Sequence, residues 1–463
     1  MTSSRAVARS IAGADDTIVA LGTAAGRSAI AIVRLSGQNA IDIAAKHVNP
    51  WPVPTREASL CEVHSDRRLL DQAIVTVYKA PHSFTGEDCV EISTHGGHIV
   101  PASVIAALIG SGAREALPGE FTRRAVLNGK LDIVQAEAVG DLIDARSSAM
   151  QQVALGQLEG GLSSRIAHVR ESIISLEALL AYDIDFPEED DGPVSRDRVL
   201  ESTDRVIGSL DVLLSTIPVG QMVKEGAITV IAGEPNAGKS SLFNALLGES
   251  RAIVTEIPGT TRDAIEGVID AGRWPIRLID TAGLRLSHDA VERLGIEMSE
   301  RYVARAHLLI ACGENKDALK RASSVLSGLS PAPVLLVLTK SDLVVNGSPD
   351  AGETESSEHI SVSVVTGEGL KRLQDEIDAT LTERYGELNP DLPILLRARH
   401  IQGLNVARAE IAEFQSVWAT ERLPAPVAAV HLRAAATALE TLIGAVSTDD
   451  VLERVFSAFC VGK

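Results

Sequence analysis

The stretch Gly233-Glu-Pro-Asn-Ala-Gly-Lys239-Ser240 constrains this chain more than any other. An apolar run, Ala227 to Ala232, precedes it and reads as a buried strand. Ser241-Leu-Phe-Asn-Ala-Leu-Leu follows and reads as a helix. Strand, glycine loop, Lys-Ser and helix together make the pattern G-x-x-x-x-G-K-[ST]. A ligand-free glycine turn is the plain alternative, but it calls for neither the flanking elements nor the Lys-Ser pair. The glycines let the backbone close round a phosphate, with amide groups and the helix N-terminus facing negative charge. Asn236, Ala237, Gly238 and Ser241 belong to this loop. Lys239 is placed to reach the β- and γ-phosphates, and the Ser240 hydroxyl to hold Mg²⁺.

Three later segments fit the same site. Thr255-Glu256-Ile257-Pro258-Gly259-Thr260-Thr261-Arg262-Asp263 offers threonines that complete a Mg²⁺ shell and sense a γ-phosphate. Ile276 to Ile279 reads as a strand ending in Asp280-Thr281-Ala282-Gly283. An aspartate there suits the metal's second contact, and the Gly283 amide can turn to the γ-phosphate. Val334 to Leu338 is a strand followed by Thr339-Lys340-Ser341-Asp342. A carboxylate in that position accepts two hydrogen bonds from guanine, a donor pair that adenine lacks. His359 to Ser363 and Thr366-Gly-Glu-Gly369 supply a further strand and a loop for the base. Each segment is weak alone; in this order they predict a GTPase rather than an ATPase.

Leu284 follows Gly283, where many GTPases carry a glutamine that orients the attacking water. An apolar side chain cannot do that. Glu292 is the nearest candidate for the task and Asp289 its rival. Arg262, Arg285 and a dimer partner stay open as sources of a neutralising cation.

The length of 463 residues sets an expectation of about three domains. Four cysteines (Cys61, Cys89, Cys312, Cys460) without CxxC spacing argue against zinc and against a disulfide framework. No apolar run reaches roughly 18 residues, and Met1-Thr-Ser-Ser lacks a secretory pattern, so a reduced, cytoplasmic setting is expected. The net charge of −19 suits a protein that does not grip nucleic acid unaided. If RNA is a substrate, a local basic patch or a partner must hold it.

Residues 17–135 read as a small α/β domain, with strands at Thr17–Leu21, Ser28–Gly37, Leu70–Tyr78 and Val90–Ile92 and a helix through Val100 to Leu108. Thr122 reads as the N-cap of the next helix. Arg34 in an apolar strand, Glu91 in a short one and Lys130 at Gly-Lys-Leu-Asp are candidate polar anchors for an anionic or heterocyclic ligand. Each alone is as readily a surface charge, and spacing does not show that they meet. From Leu131 to Tyr182 apolar residues advance by threes and fours, from Leu155 and Leu158 through Leu162, Ile166, Val169, Ile173 and Leu176 to Leu180. Gly160-Gly161 weakens this pattern, and Phe186-Pro-Glu-Glu-Asp-Asp-Gly-Pro193 breaks it. Helical patterns return at Ser195–Leu214, Ala398–Trp418 and Ala425–Val446, with a last start at Ser447-Thr-Asp-Asp450. Helices on both sides of the nucleotide segment imply one discontinuous helical domain with an α/β insertion. The expected fold is therefore α/β plus all-α, divided as 1–130, 131–222, 223–380 and 381–463.

With these residues in hand, the chain resembles the MnmE (TrmE) family of bacterial tRNA-modification GTPases along nearly its whole length. The resemblance rests on Gly-Glu-Pro-Asn-Ala-Gly-Lys-Ser, Ile-Pro-Gly-Thr-Thr-Arg-Asp, Ser83-Phe-Thr-Gly-Glu-Asp88, Asn128-Gly-Lys-Leu-Asp, Phe186-Pro-Glu-Glu-Asp and the terminal Phe459-Cys460-Val461-Gly462-Lys463. It implies an N-terminal folate-binding domain that dimerises, a helical domain and an inserted Ras-like P-loop GTPase domain. It also implies a homodimer that joins an MnmG (GidA)-type FAD protein in a heterotetramer. That complex would place an aminomethyl or carboxymethylaminomethyl group on C5 of the wobble uridine of tRNA, drawing on 5-formyltetrahydrofolate or a related one-carbon folate. By position, Arg34, Glu91, Lys130 and Lys463 match the folate contacts. Asn236, Thr255, Ile257 and Thr260 match a K⁺ set, and Ser240 and Thr261 the Mg²⁺ ligands. Glu292 matches the residue that positions water, with Lys239 and Thr261 beside it in catalysis. Cys460 stands at the family's terminal cysteine, where a chemical role and a small apolar packing role both stay open. The chain departs from the family at Thr339, where asparagine is usual, and at Ala24-Ala25-Gly26, where Pro-Pro-Gly is common. The segment before Asp15 has no counterpart and is expected to be disordered.

Overall fold

A computed structural model of the chain describes residues 16–185, 195–249, 265–270, 272–280, 301–343, 359–387, 392–420, 425–444, 455–456, 459 and 462. The chain divides into two compact units, 1–140 with 166–171 and 436–463, and 141–165 with 172–435.

The first unit is built on a seven-stranded sheet: β1 (Ile18–Leu21), β2 (Ile30–Ser36), β3 (Val48–Asn49), β4 (Ser59–Ser65), β5 (Arg68–Tyr78), β6 (Cys89–His95) and β7 (Arg114–Glu115). The strands lie in the order β3-β4-β5-β6-β2-β1-β7, all antiparallel except β1 with β7. Alternation sets the two faces. Ala31, Val33 and Leu35 of β2, Val90 and Ile92 of β6 and Val75 and Val77 of β5 are buried; against them pack Ala40, Ile43 and Ala44 of α1 (Ala40–Ala45) and Val104 and Leu108 of α2 (Ile99–Gly110). The expected strands are present, and β3, β4, β7 and α1 are additions.

The next helix, α3 (Glu120–Leu127), starts earlier than expected, after Gly119 at φ 66°, so Thr122 lies inside it and is not its cap. Glu120 fixes that start. Its carboxylate accepts the Leu117 amide at 2.8 Å and is clamped by Arg114 at 2.7 Å and Arg124 at 3.0 Å. Arg124 is 4% exposed and also donates to Asp16 Oδ1 at 2.7 Å and Glu87 Oε2 at 3.2 Å. The tail returns to this unit: Val455 and Phe456 pack on Ile133 and Ala136, the latter two in α4 (Ile133–Ile143). Gly462, at φ 96°, lies so close to β1 that an added Cβ would sit 2.2 Å from the Leu21 carbonyl oxygen.

The second unit holds a six-stranded sheet: β8 (Ala227–Gly233), β9 (Ile265–Asp270), β10 (Pro275–Asp280), β11 (Leu308–Gly313), β12 (Val334–Thr339) and β13 (Ile360–Val362). Its order is β13-β12-β11-β8-β10-β9, parallel except for β9, which runs back along β10 with Ile265 opposite Asp280. The two central strands, β8 and β11, are apolar on both faces, as a parallel sheet covered by helices requires.

The continuous helical pattern after Leu131 is three helices, α4, α5 (Ser148–Leu158) and α6 (Gly161–Asp185). Ser147 caps α5 by accepting the Met150 amide, and Gly160 at φ 91° ends it. Leu162, Ile166, Val169, Ile173, Leu176 and Leu180 are buried as expected, but Leu155, ahead of the break, is 39% exposed. Next come α7 (Arg196–Leu214), capped by Ser195, and α8 (Ile217–Glu225). Arg196–Glu225 does contain an 18-residue window apolar enough to cross a membrane, which run-counting missed. Here it is two helices with Val206, Leu210, Leu213, Met222 and Val223 buried in the protein. The remaining helices are α9 (Lys239–Glu249), α10 (Lys316–Leu329), α11 (Leu370–Tyr385), α12 (Ala398–Thr420) and α13 (Ala425–Ile443). Phe186–Pro193 and the start at Ser447–Asp450 lie outside the described residues, as does the segment before Asp15.

The ion cluster of the first unit carries a testable stability. Burial pushes the Asp16 and Glu120 carboxyls up, but hydrogen bonds from Arg114 and Arg124 outweigh it, and both end below the usual carboxylate range. Depressed carboxylates stabilise the fold above their unfolded values, near pH 4, and lose that contribution as pH falls through the folded ones. Arg124→Ala strands Glu87 and leaves Asp16 and Glu120 to Arg114 alone, and is expected to cost about 3–5 kcal/mol. Calorimetry of both proteins from about pH 7 down to about pH 3 checks this; a variant melting with the wild type at neutral pH refutes it.

Candidate nucleotide site

The β8 strand delivers the chain into the loop, and two residues there take the left-handed conformation, Asn236 at φ 66° and Gly238 at φ 75°. The loop's carbonyl groups are held from outside. The Thr339 hydroxyl lies 2.9 Å from the Ala237 carbonyl and 3.2 Å from that of Gly313. Lys340 donates to the Asn236 carbonyl at 3.1 Å and pairs with Glu314. Lys239 Nζ donates to the Glu234 carbonyl at 2.8 Å, and the Glu234 side chain pairs with Arg321 at 2.9 Å. With carbonyls drawn outward, the loop's amide groups are left to face a ligand.

Ser240 Oγ donates to Asp280 Oδ2 at 2.6 Å, joining the start of α9 to the end of β10. Asp280 is 0% exposed and Lys239 7%. An exposed hydroxyl beside a buried carboxylate offers hard oxygen donors of the kind Mg²⁺ takes. Asp342 follows β12, and its Oδ1 accepts from Ser363 Oγ at 2.7 Å, which fixes the carboxylate's direction. Ser363 was read only as a strand end; its role depends on β12 lying beside β13, which one sequence does not display. Cys312, next to the loop on β11, is fully buried, and burial pushes its thiol up to about 12. It is a packing atom.

In the first unit, Arg34 and Glu91 are cross-strand partners and pair at 2.8 Å. The Arg34 guanidinium lies 5.7 Å from the ring centres of Phe84 and Phe121. Lys130 donates to the Pro81 carbonyl at 3.2 Å. The turn from Pro81 to Gly86 thus touches both Arg34, through Phe84, and Lys130. Thr255, Glu256, Ile257, Pro258, Gly259, Thr260, Thr261, Thr281, Ala282, Gly283, Glu292, Cys460 and Lys463 lie outside the described residues, as do Arg262, Leu284, Arg285 and Asp289.

A strand–loop–helix of this form, with a buried lysine, a serine beside it and a strand-end aspartate, defines a P-loop nucleotide-binding protein. Two family descriptions match the chain: "GTP-binding protein TrmE N-terminus" over residues 17–130 and "MnmE helical domain" over 133–460. The tRNA modification GTPase MnmE of Caldicellulosiruptor saccharolyticus is 38% identical over 97% of this chain and 99% of its own length. That of Aquifex aeolicus is 38% identical over 97% and 100%. Among solved structures, the G domain of the T. maritima FeoB iron transporter aligns at 27% identity and TM-score 0.25, covering 34% of this chain and 98% of that one. The chain belongs to the MnmE family of tRNA modification GTPases.

Thr339 offers one proton to two carbonyls, where the usual asparagine would offer two. Thr339→Ala is expected to weaken nucleotide binding about fivefold to tenfold, the worth of one net hydrogen bond. Thr339→Asn is expected to bind at least as tightly as the wild type. Titration calorimetry with GDP reads both; an alanine variant of unchanged affinity removes Thr339 from loop support.

Proposed function

We propose that this GTPase, as a cytoplasmic homodimer with a flavoprotein partner of the MnmG type, adds an aminomethyl or carboxymethylaminomethyl group to C5 of the wobble uridine of tRNA. The observation that carries the reading is the hydrogen bond from the exposed Ser240 hydroxyl to the buried Asp280 carboxylate beside the phosphate loop. Ser240, with Thr261, would hold Mg²⁺ on the β- and γ-phosphate oxygens, and Lys239 would neutralise charge there. Asn236 would supply one ligand of a K⁺ set completed by Thr255, Ile257 and Thr260. Glu292 would position the attacking water. Asp342, braced by Ser363, would accept the guanine hydrogens. Residues 223–380 would form the inserted GTPase domain, with 131–222 and 381–463 as its helical carrier and 1–130 as the folate domain.

The folate proposal rests on the Arg34–Glu91 pair. It presents guanidinium donors and a carboxylate acceptor side by side, with Phe84 and Phe121 next to the guanidinium and Lys130 across the same turn. A folate has a donor-acceptor ring edge and an anionic tail, which suits that combination. Lys463 would add a second cation.

The first test is GTP hydrolysis in potassium against sodium, with Asn236→Ala alongside. Stimulation of about tenfold or more that vanishes in the variant is expected, the size of effect one well-placed cation gives. Equal rates in the two salts would remove the K⁺ role. For the RNA step, a deletion strain is expected to lose the C5 modification, regaining it with wild type and not with Asp280→Ala. Unmodified chemistry in the deletion strain, with the tRNA unchanged, would sink the proposal.

A further inference from the structure

At the end of the second sheet's strands away from the phosphate loop lies an open pocket of about 300 Å³ lined by Glu225, Ile228, Arg277, Arg301, Tyr302 and Arg305. Ile228 and Arg277 sit at the starts of β8 and β10, whereas the nucleotide loop leaves β8 at its far end. Ile228 and Gly233 lie near the two ends of β8, roughly 17 Å apart along extended chain. Gly226, at φ 85°, turns the chain tightly here: an added Cβ would lie 3.1 Å from the Arg277 amide nitrogen.

The pocket's charge is unlike that of the chain. Among the described residues, three arginines face one carboxylate there, in a protein of net charge −19. Arg301 and Arg305 are one helical turn apart, exposed, and make no side-chain hydrogen bond or ion pair among the described residues. Arg384 adds to the cluster from α11. Burial, then Arg384, and more weakly Arg305 hold the half-buried His307 below the usual histidine range, against an opposing pull from Glu225. His307 itself is locked, accepting the Ile228 amide at 3.0 Å and meeting the Tyr385 ring edge-on at 5.7 Å. Arg301 and Arg305, over a rigid floor, present guanidinium forks suited to phosphate.

We propose that this arginine pocket binds the phosphodiester backbone of the tRNA substrate. The inference rests on the RNA reading above and supplies the local basic patch that an acidic RNA enzyme needs. Two neighbouring guanidiniums on one helix turn suit successive phosphates of a strand better than a single small anion. The distance from the phosphate loop leaves GTP chemistry untouched by changes here.

The test is binding of a tRNA transcript by the full-length protein across about 50–200 mM salt, for wild type, Arg301→Ala/Arg305→Ala and Arg301→Lys/Arg305→Lys. The alanine pair is expected to lose about tenfold in affinity at low salt and to flatten the log–log salt slope by roughly 1.5, with GTP hydrolysis unchanged. The lysine pair is expected to keep the slope. Unchanged affinity and slope in the alanine pair overturn the proposal, even if that pair no longer binds inorganic phosphate, because the pocket is then a small-anion site. The RNA reading fails separately: a deletion strain with fully modified tRNA removes it whatever the arginines bind.

Discussion

A phosphate loop works only if its carbonyl oxygens are taken up elsewhere. A loop that presented both carbonyls and amides to a triphosphate would repel what it is meant to hold. In this chain the Glu234, Asn236 and Ala237 carbonyls are met by Lys239, Lys340 and Thr339, the last two from the end of β12 and the residue after it. The base-reading segment is therefore also the scaffold of the phosphate segment. This explains why strand order matters to the site: β11 and β8 must be neighbours, and β12 next to β11, before Thr339 can reach both Gly313 and Ala237.

The first unit solves a different problem with charge. Arg124 and Arg114 gather Asp16, Glu87 and Glu120 from the chain's start, a turn and a helix. A buried ion cluster is weak evidence for net stability, since apolar packing of the same volume can do as well. What it does supply is placement: Glu87 also accepts from Ser36 at 2.8 Å, and Asn128 reaches the Thr85 carbonyl at 2.7 Å. The turn that lies between Arg34 and Lys130 is held from several sides, which pre-organises whatever it binds.

Much of this was legible in the sequence, for physical reasons. β2, β5 and β6 announce themselves by alternation and β-branched residues, and the phosphate loop by glycine spacing. The strand β4, Ser-Leu-Cys-Glu-Val-His-Ser, has little of either and was missed; α1 has only six residues, too few to show a period. The Thr122 reading failed because a carboxylate engaged by two arginines and an amide outweighed a hydroxyl in choosing where a helix starts. Arg34 and Glu91 were each visible, but their pairing is a matter of register across 57 residues. The arginine pocket was wholly hidden, because its members come from separate strands and a helix and look like ordinary surface charge one at a time.

The single antiparallel strand of the second sheet has a mechanical meaning. β9 begins directly after the threonine-rich segment 255–264, and β10 ends in Asp280, the partner of Ser240. Because Ile265 faces Asp280 in the ladder, these two residues are the two tips of one hairpin. Tips of a hairpin share hydrogen bonds and cannot slide past each other by one residue without reversing every side chain. A shift of β9 in register would thus carry the carboxylate that Ser240 touches along with it.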